Sequence, residues 1–117
     1  MSRRFPRSCL TLLCALGLLT SGCGGLLSDA RTEFDRGHYA AARQLLASME
    51  RTGVWAVPER TGYALYRGLT CGALGDIPRA RVWLSQARSL RDAHPDALSP
   101  DDDSRLRAAL QTYEVGP

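Results

Sequence analysis

The segment Leu74-Gly75-Asp76-Ile77-Pro78 separates two apolar stripes of helical spacing, and no other stretch limits the fold so strongly. Upstream, Ala64, Gly68 and Cys71 share one side of a helix over about Glu59 to Leu74, while Leu65, Leu69, Gly72 and Ala73 share another. Downstream, Ala80, Trp83, Leu84, Ala87 and Leu90 form a single stripe that opens at Pro78, a residue suited to a first helical turn. Two helices this close in sequence fold back on each other. Because the first of them is apolar nearly all round, it needs a neighbour on more than one side.

The flanking segments supply candidates. Ala30 and Phe34 mark a short helix, with Ser28 as its N-cap and Gly37 as its stop. From Tyr39 a second helix follows, with Ala42, Leu45, Leu46 and Met49 on one buried face, and Gly53 ends it. Val54-Trp55-Ala56-Val57 then connects to Pro58. After His94-Pro95-Asp96, Ser99 with an acid three residues on reads as a capping box, and Leu106, Ala109, Leu110 and Tyr113 make the last helix amphipathic.

Residues 1–22 have another character. Arg3, Arg4 and Arg7 precede the apolar run Leu10–Leu19, which is too short for the roughly 20 residues a membrane-spanning helix needs. Thr20-Ser21-Gly22-Cys23 ends it with small residues before a cysteine. This arrangement resembles the lipobox of bacterial lipoproteins. The resemblance implies cleavage before Cys23, a diacylglycerol and an acyl chain on that residue, and no other cofactor. Several acyl chains, at about 0.8 kcal/mol per buried methylene, give stable anchoring. With Gly24 rather than Asp next, the family's sorting rule implies the outer membrane, with the domain facing the periplasm. The expected layout is a signal peptide at 1–22, a lipidated terminus and short tether at 23–28, and a helical domain at 29–115.

Loss of the leader also changes the charge. The 15 basic residues fall to 12 when Arg3, Arg4 and Arg7 leave, against 12 acidic residues. The mature chain is neutral and has no basic field for nucleic acid. Cys9 and Cys14 leave too, so Cys71 has no partner once Cys23 carries lipid, and a buried, inert thiol is expected.

The two hairpins echo each other. Thirty-eight residues upstream of Gly68, Gly75, Ile77, Ala80, Leu84 and Ala87 stand Ala30, Gly37, Tyr39, Ala42, Leu46 and Met49. Small residues at Gly68, Ala80 and Ala87 bring two helices close, and Leu84 fills the space between them. This pattern resembles the tetratricopeptide repeat, with Arg67 standing where the family places an apolar residue. The resemblance implies an all-α fold in which antiparallel hairpins stack as a short solenoid of about two repeats. The helix at 99–115 would cap it, since no third copy is evident.

An enzyme is not expected. His38 and His94 have no metal-ligand spacing, Asp101-Asp102-Asp103 lacks the alternation of a calcium loop, and neither a nucleophile context nor a phosphate-binding loop is present. No small-molecule substrate is expected either. The family's concave face maps onto Leu27, Arg31, Phe34, Leu65, Leu69, Gly72 and Ala73, a surface for a partner's helix or extended segment, with Arg31 orienting a carboxylate. The same leucines can instead be covered by the last helix through Leu106 and Leu110. The implied role is a scaffold or pilotin-like assembly factor for an envelope machine for secretion, pilus assembly or polysaccharide export. The alternatives are a structural subunit of an envelope complex and a stoichiometric inhibitor or immunity protein.

Overall fold

The structure, a computed structural model, describes residues 23–53 and 55–117; the leader at 1–22 and Val54 of the connector lie outside the described residues. Among the described residues the chain is all-α, with helices α1 (Cys23–Asp35), α2 (Tyr39–Met49), α3 (Val57–Ala73), α4 (Ile77–Ala93) and α5 (Pro100–Thr112). None of these is long and apolar enough to cross a membrane.

Local chemistry accounts for most helix ends. Ala56 precedes α3 with Pro58 in its first turn, and the Asp76 side chain caps α4 by accepting from the backbone N–H of Arg79 at 3.3 Å. Ser99 Oγ likewise accepts from the N–H of Asp102 at 3.2 Å, so the expected cap of α5 is formed. The start of α1 differs from the sequence expectation. The helix begins at Cys23, and Ser28 lies inside it, its carbonyl accepting from Thr32 Oγ1 at 3.0 Å. Leu26 and Leu27 extend the stripe of Ala30 and Phe34 and pack against the core. Their burial carries the helix through the segment read as a tether.

Three helices end alike. The N–H of His38 donates to Glu33 O at 2.8 Å, that of Asp76 to Cys71 O at 2.8 Å, and that of Val115 to Leu110 O at 2.9 Å. The residue before each donor is left-handed: Gly37 at φ +81°, Gly75 at +89° and Glu114 at +51°. This is the six-to-one bond of a Schellman ending, which glycine enters without steric penalty. Gly37 and Gly75 are separated by the same offset of 38 residues as the apolar positions.

Helix α1 packs on α2 and α3 on α4, while α3 also touches both α1 and α2. Helix α5 touches both α3 and α4, so it stands to the second hairpin as α3 stands to the first. Helix α5 also ends as α1 and α3 do. Between α3 and α4 the approach is close: a Cβ on Gly68 would lie 2.7 Å from Leu84 Cγ. Ala80, Leu84 and Ala87 are fully buried there, as are Leu46, Leu65, Tyr66 and Leu106 nearby. Each large apolar side chain buried this way contributes roughly 1.5–3 kcal/mol. Arg67, the departure from the repeat pattern, lays its guanidinium over the Trp83 ring at 5.8 Å.

Candidate functional site

On the face shared by α1, α3 and α5, a polar cluster is built around Tyr66, a fully buried residue of α3. Its hydroxyl donates to Asp102 Oδ1 at 2.7 Å and accepts from Arg31 Nε at 3.1 Å. Arg31 Nη2 also pairs with Asp102 Oδ2, and Arg105 Nη1 donates to Asp35 Oδ1 at 2.6 Å. Both guanidinium centres lie near the tyrosine ring, at 5.4 and 5.9 Å from its centroid. The backbones of α1 and α5 do not meet. Their side chains therefore reach across α3 and tie the outer helices together over one phenol.

Burial, and then the hydrogen bond to Asp102, push the Tyr66 pKa up to about 12. The folded state thus holds this proton more tightly than the unfolded chain does. That stabilisation is complete below about pH 10 and is lost as pH rises towards about 12. Through Tyr66 alone, urea titrations should show stability falling across this window by about 2 kcal/mol, and Tyr66→Phe should make the overall fall shallower. An equally steep loss in that variant would assign the effect elsewhere. Tyr63, whose proton is likewise held by burial and by its bond to Glu50, adds a fall of its own from about pH 10 upward.

Beside the cluster is a hollow of about 410 Å³, lined chiefly by Phe34, Tyr39, Leu69, Ala108, Thr112 and Tyr113, with Asp35 and Arg105 on its rim. Phe34 is held there by a T-shaped contact with Tyr66 at 5.8 Å and a tilted one with Tyr39 at 5.2 Å.

The seven residues of the expected groove do not share one open face. Phe34 and Leu69 line the hollow, but Leu65 is fully buried. Gly72 lies under the ring of Tyr113, Leu27 packs against Gly62, and Ala73 is exposed next to the turn. Arg31, expected to orient a partner's carboxylate, is taken by Asp102 within the chain. The reason is α5, which packs along α3 and puts Leu106 into the core. What stays accessible is the hollow at one end of the face.

Tyr66, Asp102, Arg105 and Asp35 were not anticipated as a group. Arg31, Tyr66 and Asp102 follow at 35 and 36 residues, off the 38-residue offset of the apolar positions, so no sequence pattern pointed to their meeting. Cys71 is free and half-buried, and burial raises its pKa. Among the described residues, no group of His, Cys, Asp and Glu is placed to hold a metal ion. In comparisons with known proteins, no family model matches the chain, and no curated protein or solved structure is significantly similar to it.

Proposed function

We propose that the chain is a lipid-anchored protein-interaction module of the cell envelope: a short tetratricopeptide-like stack, held by acyl chains on Cys23, that serves as a pilotin-like assembly factor or scaffold. The observation that carries this reading is the hollow between α1, α3 and α5, where aromatic and aliphatic walls meet a charged rim. Anchor residues of a partner's helix or extended segment are bound in sites of this composition. Support for the repeat comes from the Schellman endings of α1, α3 and α5 and from the way each later first helix touches both helices of the hairpin before it. Because α1 begins at Cys23, lipid on that residue leaves no slack between membrane and domain. A partner would have to be engaged at the headgroup layer.

The test compares tagged wild type with Cys23→Ser and Ala108→Arg by fractionation and mass spectrometry of detergent-solubilised membranes. Ala108 is exposed on α5 and lines the hollow, so the bulky charge should leave the fold intact. Cys23→Ser is expected in the soluble fraction, and Ala108→Arg on the membrane but stripped of its copurifying envelope component. Retention of Cys23→Ser on membranes would sink the anchor, and unchanged partners with Ala108→Arg would sink the hollow.

A further inference from the structure

A second hollow, of about 360 Å³, is formed by the end of α2, the connector, α3 and α4, away from the tyrosine cluster. Its walls are Trp55, Tyr63 and Trp83, and its polar groups are Glu50, Arg60 and Gln86. The volume is at the lower end of the roughly 300–1,000 Å³ usual for small-molecule sites. The rings are fixed before any ligand arrives. Trp55 Nε1 donates to Thr52 Oγ1 at 3.0 Å, and Thr52 in turn donates to Met49 O at 2.7 Å. Tyr63 joins the two indoles, 4.6 Å from Trp55 and edge-on to Trp83 at 5.4 Å.

The polar groups have bonding capacity to spare. Glu50 accepts from the Tyr63 hydroxyl through Oε1, which Arg67 Nη2 also approaches at 3.6 Å, while Oε2 has no hydrogen bond among the described residues. Gln86 is exposed, and its amide makes no hydrogen bond to other described residues. The charges narrow the choice of ligand. Arg67 already stacks on Trp83, and Arg60 stands at the rim, so the rings are poorly placed for a cation. The half-exposed Glu50 carboxylate disfavours a phosphate. What fits is a neutral ligand with one apolar face and a border of hydroxyls.

We propose that this hollow binds a neutral carbohydrate, a pyranose ring stacking on the indoles while its hydroxyls reach Glu50, Gln86 and Arg60. The site is independent of the partner hollow between α1, α3 and α5. It adds glycan recognition to a protein-binding module.

The chain's two tryptophans both line the site, so ligand binding should change its intrinsic fluorescence. The experiment titrates the folded protein with N-acetylchitotriose and with maltotriose, by fluorescence and calorimetry, beside a proline-rich decapeptide. Saturable binding of at least one sugar is expected. Trp55→Ala should weaken it about tenfold, the loss of one aromatic contact. Trp55 also packs on Tyr63, so Gln86→Ala provides a variant with no internal bond to lose, and it should weaken binding several-fold. Three results would overturn the proposal: no response to either sugar, sugar binding untouched by both substitutions, or saturable binding of the decapeptide alone, which would make the hollow a peptide site.

Discussion

Replacing Asp102 with alanine is expected to lower the folding free energy by about 3 kcal/mol, several times the usual effect of removing a surface charge. Asp102 is only 4% exposed and accepts from both Tyr66 and Arg31. Its removal leaves the buried phenol proton without an acceptor, since Arg31 and Arg105, which stay beside the hydroxyl, only donate. Arg31 has a side chain 43% exposed and can turn back to water, so the loss should stay at the low end of the roughly 3–5 kcal/mol for breaking a buried pair. Asp102→Asn keeps an oxygen for Tyr66 but not the charge and should lose about half as much, and Tyr66→Phe about 1 kcal/mol. The neighbouring Asp101→Ala, at an exposed position, sets the baseline for urea midpoints. Equal losses for Asp101→Ala and Asp102→Ala would show that the cluster holds nothing together. Hydrogen exchange adds a spatial reading: α5 amides should lose protection before those of α3, because the cluster fastens α5 to α1 and α3.

The same cluster marks where sequence inspection reached its limit. Five helices were readable from apolar residues at a period near 3.6, with Gly37, Gly75, Asp76 and Ser99 at or near their ends, because these signals act within one helical turn. The start of α1 was not readable. Ser28 is a good capping residue, but the burial of Leu26 and Leu27 against other helices carried the helix past it. The apolar flank of α3 was legible as a surface needing cover, and two outcomes were in view. The position of α5 decides between them over most of that flank, burying Leu65 and covering Gly72 while leaving Leu69 at the hollow. Asp102 read as the acid of the capping box at Ser99, and only the packing of α5 against α3 brings it to Tyr66. Trp55 passed as connector and Trp83 as core, and their joint wall appears only once Tyr63 stands between them.

Gly68→Ala should destabilise the protein by about 2 kcal/mol, although alanine is the better helix former by about 1 kcal/mol. The new methyl would meet Leu84 Cγ at 2.7 Å and the Leu84 backbone nitrogen at 3.2 Å. Neither atom is a free side-chain end, so α3 and α4 must separate, and overpacking of a tight core costs about 1–3 kcal/mol or more. Gly68→Leu leaves no arrangement of the hairpin and should abolish the cooperative transition. Gly72 provides the contrast. A methyl there would approach the far end of the Tyr113 ring even more closely, but that side chain is only partly buried and can swing away. Gly72→Ala should therefore be close to neutral in stability. A double-mutant cycle identifies the cause. Leu84→Ala alone should cost about 2–5 kcal/mol, and clearly less in the Gly68→Ala background, where the new methyl fills part of the space vacated. Additive losses would mean that the two residues are not in contact and that something other than their approach sets the spacing of the hairpin. Coupling of 1 kcal/mol or more would tie the separation of α3 and α4, and with it the seat of α5 on both, to a single hydrogen atom at position 68.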